Sequence, residues 1–531
     1  MKRLAIKYDY LFVGLVALLY FLLLFSRIHS FLFYSGDSGD WLTSSIWWFV
    51  PQPYGSPLFI SIGHFLNWLP FGSLVVKMTI VMDVIPSAIS VATIYLICKK
   101  LTNVKIAIVC SLVLLGSAIF LTQATILDEF AISGMFVTLA FYFYISERKK
   151  LTILMLALGS AIQIIVIAIS FLWYVLHLNE VKKWYKTYWI YAVFGLLPYG
   201  LTLLLMYLPT PRLLSAHLSL AGIDNYLGAT GTIASMSLFE APKRILEFGS
   251  ILIASLGLAL IPIFVSIKGI TKYGKSMLVL AVTVLFILWL YLTDSDPGTW
   301  HFLPIAFPLI MVFVAIGLNK MTKINRRIVF SSACVLILVN GIFLNANVLA
   351  NQHPYATNYE SQLKSLPDGS YVVCNSGGDY GLDNYYVMAS GKDIRPIFID
   401  GDIPDVSMFS PAKEVEYEAY LENYLETNYK IKPAQAVIQV SGMIKHKLEV
   451  HLSPRYQDYM KWMNDKYGLP MMLPYSSMQG SNTLSQVQWL LAQGDNVFLA
   501  KPSVTPYWEG MFQTESYSDT LDRIVGVNLG Y

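Results

Sequence analysis

The first 350 residues of this chain are built from long apolar stretches, and the basic residues between them fall in alternate loops. A helix needs about 20 mainly apolar residues to cross the hydrocarbon core of a bilayer. Stretches of that kind cover residues 9–32, 74–98, 104–122, 129–146, 188–208, 246–267, 276–292, 301–318 and 328–349. One set of loops carries Lys2, Arg3 and Lys7, then Lys99, Lys100 and Lys105, then Arg148, Lys149 and Lys150. The same set continues with Lys182, Lys183 and Lys186, with Lys268, Lys272 and Lys275, and with Lys320, Lys323, Arg326 and Arg327. The intervening loops 34–73, 123–128 and 293–300 carry no Lys or Arg, and 209–245 carries only Arg212, Lys243 and Arg244. Arg27 and Lys77 are the exceptions. Lys and Arg are retained on the cytoplasmic side of a membrane. The pattern therefore predicts a cytoplasmic N-terminus and an outer loop carrying Asp37 and Asp40.

Composition points the same way. Charged residues make up 13% of the chain, where a soluble protein carries about 25%. Charge is scarce before residue 350 and ordinary after it. The expected protein is polytopic and α-helical, with residues 1–350 in the membrane and 351–531 as a soluble extracytoplasmic domain. The net charge of +3 is too small to argue for a nucleic-acid partner. The first span follows Met1-Lys2-Arg3 as a signal peptide does, but it is long and no small-residue cleavage site comes after it. It reads as a retained anchor.

Residues 151–178 are apolar with basic flanks at both ends. Both flanks belong on the cytoplasmic side, so the stretch must enter and return. Two complete spans need about 40 residues, more than this stretch holds. A short helical hairpin turning near Gly159-Ser160 is expected, covered by protein where its backbone is irregular. With it, the expectation is about eleven membrane helices and a C-terminus outside. In the tail, Tyr371–Cys374, Pro396–Ile399, Ala436–Val440 and Asn496–Leu499 read as strands. Residues 382–390, 411–429 and 483–492 read as helices. Such alternation predicts a small parallel sheet. Gly377-Gly378-Asp379 has the look of a phosphate turn without the dinucleotide pattern.

The residues with chemical potential lie in the outer loops. Asp37 and Asp40 stand three apart in Gly36-Asp37-Ser38-Gly39-Asp40-Trp41, on one face if a helix begins there. Asp128-Glu129 form the next outer turn. Acids at the lip of a membrane bundle are costly unless they serve a site, and two acidic turns from neighbouring hairpins can converge on one cavity. The plain structural alternative is a pair of helix caps. Asp294, Asp296 and His301 mark a later turn. Residues 55–69 are apolar, helix-length and too short to span, which predicts an interfacial helix lying flat. His64 on that segment is a packed residue or a substrate contact. No zinc spacing occurs.

The order of these features resembles the GT-C superfamily of polytopic glycosyltransferases. More closely, it resembles the protein O-mannosyltransferase-like (DUF2723) family. The motifs that carry this are Gly36-Asp37-Ser38-Gly39-Asp40, Pro51-Gln52-Pro53-Tyr54-Gly55-Ser56-Pro57-Leu58, Gly63-His64, Leu69-Pro70-Phe71-Gly72, Glu129-Phe130-Ala131-Ile132 and His301-Phe302-Leu303-Pro304. Asp40 stands where the family has glutamate, and Gln52 where it has histidine. The resemblance implies a sugar donor on a polyprenyl-phosphate carrier and a protein, lipid or glycan acceptor at the outer face of the plasma membrane. It implies an inverting displacement with Asp37 as base and Asp40 next. Glu129 orients the acceptor or helps bind a divalent cation (magnesium or manganese, with Asp37), which some superfamily members use and others do not. Asp128, His64 and Tyr54 fall in substrate-binding motifs. Arg212 and His301 are candidates for the lipid phosphate, because few basic groups lie outside. Two other readings stay open. A lipid or solute transporter needs polar groups deep in its spans, for which Asp83 and Gln163 are the candidates. A non-catalytic assembly protein needs none of the acids.

Overall fold

The computed structural model of the 531-residue chain describes residues 11–24, 56–177, 188–198, 241–267, 274–293, 302–350, 361–374, 394–398, 487–501 and 512–527, apart from 17, 23, 71 and 489. It also describes positions 38, 41, 42, 45, 46 and 392. The chain divides into two compact units. One comprises Met1–Leu32, Tyr54–Leu205 and Ala229–Gln352, and the other Phe33–Pro53, Met206–Gly228 and His353–Tyr531.

The first unit is helical. In chain order its described helices are α1 (Leu11–Leu22), α2 (Pro57–Asn67), α3 (Leu74–Leu101), α4 (Val104–Leu115), α5 (Ala118–Gln123), α6 (Phe130–Ile145), α7 (Lys149–Ile162) and α8 (Ile164–Leu176). Then come α9 (Tyr188–Tyr191, continued by a π turn Ala192–Leu196), α10 (Ala241–Leu256), α11 (Leu260–Ser266), α12 (Lys275–Thr293), α13 (Leu303–Lys320) and α14 (Lys323–Ala350). Four helical stretches among the described residues, Leu74–Leu101, Ile245–Ser266, Leu303–Lys320 and Lys323–Ile342, are long and apolar enough to cross a membrane.

α13 forms the centre. Every residue from Leu303 to Leu318 is buried, as expected of a helix apolar on all sides. It packs against α3, α4, α6, α11 and α12. A Cβ on Gly317 would lie 1.8 Å from the Pro262 carbonyl oxygen, so only glycine lets α11 approach this closely. α14 lies outside, exposing Ile324, Ile328, Val335, Leu338, Val339 and Ile342. An apolar face of that extent suits lipid and not water.

Two expectations about the spans need correction. The stretch 104–122 is not one helix. It breaks at Gly116-Ser117, where the Ser117 hydroxyl caps α5 by accepting from the Phe120 N–H. The buried Asn340 side chain donates to the Gly116 carbonyl at 2.6 Å, satisfying a group freed by the break. The 151–178 hairpin turns at Gln163, not at Gly159-Ser160. Gln163 has extended backbone (φ −144, ψ 129), and its side-chain oxygen accepts from the Ile165 N–H, capping α8. Gly159 stays helical, and a Cβ there would meet Val166 at 3.0 Å and Phe136 at 3.1 Å. It is a packing glycine, not a turn. Ser160 and Ser170 are hydrogen-bonded at 3.4 Å. Along a straight helix they would be about 15 Å apart, so the chain does double back.

The interfacial segment is helical as expected. α2 buries Pro57, Phe59, Ile60 and Gly63 and exposes Phe65, Trp68 and Leu69 at its end. Lys77, an exception to the charge pattern, donates from Nζ to the Leu69 carbonyl at 2.8 Å. A cation suits the C-terminal end of a helix. At the opposite end of the bundle, Lys100 Nζ donates to Ser146 Oγ at 3.1 Å. This joins two of the basic loops at one end.

In the second unit, five described strands, β1 (Ser370–Cys374), β2 (Ile394–Phe398), β3 (Val497–Ala500), β4 (Phe512–Ser516) and β5 (Leu521–Val527), form one sheet in the order β2-β1-β3-β5-β4. β1 pairs parallel with β2 and β3, as the alternation predicts. The sheet is nevertheless mixed, because β5 pairs antiparallel with β3 and β4. Only Tyr517–Thr520 separate β4 from β5, and so short a connection allows a hairpin but no crossover. The strand expected at 436–440, the helices expected at 382–390 and 411–429, and Gly377-Gly378-Asp379 lie outside the described residues.

Candidate functional site

The first acidic motif is described only in part. Ser38, Trp41, Leu42 and Ser45 are helical and buried, a spacing that defines one helix face. Asp37, Asp40, Tyr54, Arg212 and His301 lie outside the described residues.

The second acidic turn is described fully. Asp128 and Glu129 are 2% and 5% exposed, so they sit within the bundle and not at an open lip. α6 has 16 residues, about 24 Å, and its acidic N-terminal end is covered by the surrounding helices. Asp128 Oδ1 accepts from the Glu129 N–H at 2.8 Å, and the Ser133 hydroxyl closes the first turn on the Glu129 carbonyl at 2.6 Å. Asp128 thus holds the backbone of the N-cap residue, Glu129. The Glu129 carboxylate is directed elsewhere. Its Oε1 accepts from Gln163 Nε2 at 2.7 Å, across the tip of the α7–α8 hairpin.

A third acid joins the turn. Asp83 Oδ1 accepts from the Asp128 N–H at 3.5 Å, the long limit of a hydrogen bond. Asp83 is fully buried and stands in a π-helical turn, Thr79–Val84, inside α3. Pro86 comes two residues later. It has no N–H for the Met82 carbonyl and crowds that group, and a widened turn upstream relieves the clash. Such π bulges occur often at functional sites.

Several polar atoms around this turn are buried without a hydrogen-bond partner among the described residues. They are Asp83 Oδ2, Asp128 Oδ2 and, one turn before Asp83, Thr79 Oγ1. A buried unsatisfied group costs about 1–3 kcal/mol. Several in one neighbourhood mark a place where an incoming ligand or water supplies the partners.

The start of α13 reaches the same place. Phe302 packs edge-on against Phe130, with ring centroids 5.1 Å apart. A Cβ on Gly134 would lie 2.7 Å from the Pro304 carbonyl oxygen. Glycine is what brings the start of α13 against the first turns of α6. His64 is half-buried on α2, edge-on to Trp68 at 5.1 Å, and α2 packs against α7.

Asp83 and Gln163 are the deep polar groups that a transport pathway would use. The structure gives both a partner in the acidic turn. Their signal is visible in the sequence, a lone polar residue in an apolar span, but not their destination. Among the described residues no three metal-capable side chains converge. Asp37, the other candidate ligand beside Glu129, lies outside them.

No family model matches the chain, and no curated protein does. The likeness to the O-mannosyltransferase-like family rests on its sequence motifs. Among solved structures, the chain is similar to ArnT from Cupriavidus metallidurans bound to undecaprenyl phosphate, at 9% identity over 97% of each chain with a TM-score of 0.47. It is similar to the same protein in the apo state, at 10% identity over 98% of each chain with a TM-score of 0.47. Values this low leave the functional reading to the chain's own residues.

Proposed function

We propose that this chain is a membrane glycosyltransferase that moves a sugar from a polyprenyl-phosphate carrier to a hydroxyl acceptor. The observation that carries the reading is the buried Asp128–Glu129 turn, held by Gln163 and Asp83 and surrounded by unsatisfied polar atoms. Orphaned carboxylate oxygens need donors. Sugar and acceptor hydroxyls are neutral donors, which enter such a site at lower desolvation cost than ions do.

In the proposed reaction a carboxylate takes the proton of the acceptor hydroxyl as that oxygen attacks the anomeric carbon. The bond from that carbon to the phosphate oxygen breaks, and the polyprenyl phosphate leaves with the electron pair. One displacement inverts the anomeric centre. Asp37 is assigned as the base with Asp40 beside it, on the motif resemblance. Glu129 and Asp128 orient the acceptor by accepting hydroxyl hydrogen bonds. Arg212 and His301 are assigned to the leaving phosphate, whose charge needs a cationic partner. Positioning in this buried turn supplies the remainder of the rate.

The test is transfer from a labelled polyprenyl-phosphate sugar in membranes containing the wild type, Asp37→Asn or Asp40→Asn, with folding checked by size-exclusion profile. Loss of a general base lowers the rate about 10²–10⁴-fold. Wild-type rates in both folded variants would remove the catalytic assignment.

A further inference from the structure

We propose a second site, unrelated to sugar transfer: the aromatic cavity at the basic end of α6, α7 and α8 binds one acyl chain of an anionic phospholipid. The cavity holds about 340 Å³ and is walled by Tyr144, Ile153, Leu156, Phe171, Trp173 and His177, among others. Tyr144 lies fifteen residues beyond Glu129 in α6, about 22 Å along the axis. The basic end of the cavity is therefore far from the acidic turn, while its other end, at Ile167, lies one helical turn, about 6 Å, along α8 from Gln163.

The walls favour an apolar occupant because their polar atoms are already engaged. Trp173 Nε1 donates to Thr283 Oγ1 at 2.7 Å. His177 Nδ1 is 2.7 Å from the Trp173 carbonyl oxygen. A carbonyl can only accept, so Nδ1 carries a proton. In the neutral ring Nε2 then accepts from the Tyr144 hydroxyl, at 2.8 Å. Ser170 Oγ donates to the Val166 carbonyl at 2.7 Å. An occupant finds aromatic faces and methyl groups and no polar demand. Phe171, 64% exposed, and Tyr174, 38% exposed, leave a mouth open to the outside of the bundle. The space takes a segment of one acyl chain.

Charge selects the lipid. The turn between α6 and α7, Ser146-Glu147-Arg148, leads directly into Lys149 and Lys150 at the start of α7, with Arg148 and Lys150 exposed. Lys150 is three residues before the wall residue Ile153, hence on the same helix face. Lys100 reaches this turn through Ser146. Among the described residues of this turn and the start of α7, Glu147 is the one acid, against Arg148, Lys149 and Lys150, with Lys100 joined through Ser146. A phosphodiester headgroup placed on this rim lets its chain drop directly into the cavity. A donor lipid whose phosphate sits at the acidic turn has its head at the other end of α6, so the rim's cations belong to a different lipid.

The experiment reconstitutes the full chain in nanodiscs with phosphatidylglycerol or phosphatidylcholine, each carrying the same photoactivatable acyl chain, and maps the labelled peptides. Phosphatidylglycerol should label the Ile153 and Phe171 peptides preferentially, and Lys150→Gln should reduce that preference roughly fivefold, the effect of one cation near an anionic surface. Leu156→Trp fills the cavity and should abolish this labelling while leaving that of α14. Should Leu156→Trp fail to fold, Lys150→Gln alone decides. Equal labelling by both headgroups, or labelling unchanged in the folded variants, overturns the proposal. Displacement of the probe by polyprenyl phosphate overturns it too and assigns the cavity to the donor's tail.

Discussion

The two ends of the α6–α7–α8 block use the same three helices for opposite chemistry. At the Glu129 end, polar groups come from elements far apart in sequence, and several of their atoms lack partners among the described residues. At the Tyr144 end, a tyrosine, a tryptophan, a histidine and a serine spend their polar atoms on one another or on the protein, and the remaining space is an apolar hollow. Burial is similar at both. Asp128 is 2% exposed and His177 6%. The difference is hydrogen-bond satisfaction. A satisfied polar group in the interior is structural, while an orphaned one has been left for something that arrives.

This contrast makes substitutions at the two ends separable. The largest expected effect is at Glu129. Glu129→Gln keeps the oxygen that accepts from Gln163 and removes only the carboxylate, so the turn should fold as before. Loss of a charge-assisted hydrogen bond to the acceptor, worth up to about 3 kcal/mol, should lower sugar transfer by up to about a hundredfold, measured at saturating donor. Undiminished transfer would place the chemistry somewhere other than this turn. Gln163→Ala comes next. It releases Glu129 from the hairpin tip and removes a bond worth about 1–1.5 kcal/mol, which predicts roughly tenfold slower transfer. Because Gln163 acts through Glu129, the double variant with Glu129→Gln should be no slower than Glu129→Gln alone, and additive losses would sink that role. The smallest effect belongs to the other end. Tyr144→Phe removes the hydrogen bond to His177 Nε2 and should lower stability by about 1 kcal/mol, read as a reduced melting temperature in detergent. Transfer should be unaffected, and a large loss would show that the two ends are coupled.

Several parts of this arrangement are legible in sequence because they are local properties. Apolar length locates α3, α6, α12 and α13 to within a few residues. Apolar length identifies α2 as a helix too short to span, and short apolar runs locate β1 and β3. The α7–α8 hairpin is implied by basic flanks and insufficient length. Sequence misplaces its turn because glycine commonly breaks helices, and here Gly159 serves close packing while Gln163 makes the break and caps α8. The break at Gly116-Ser117 escapes a sequence reading for a related reason. Hydropathy is unchanged across it, and the groups it frees are satisfied by Asn340, more than two hundred residues away. The antiparallel β4–β5 hairpin is hard to see in sequence because its strands are polar on their exposed faces.

The sequence by itself determined that the chain is a bundle of apolar helices with its cations at alternate turns, that acids stand at the beginning of α6, and that strands lie beyond residue 370. These are consequences of composition and short-range periodicity. Only the tertiary structure decided that Asp83 and Gln163 attend the Asp128–Glu129 turn, that Gly134 admits Pro304 beside it, and that a hollow opens at Tyr144. Each depends on where residues from separate helices come to rest. That position is set by side-chain volumes and crossing geometry summed over the whole bundle, which no local window of sequence contains.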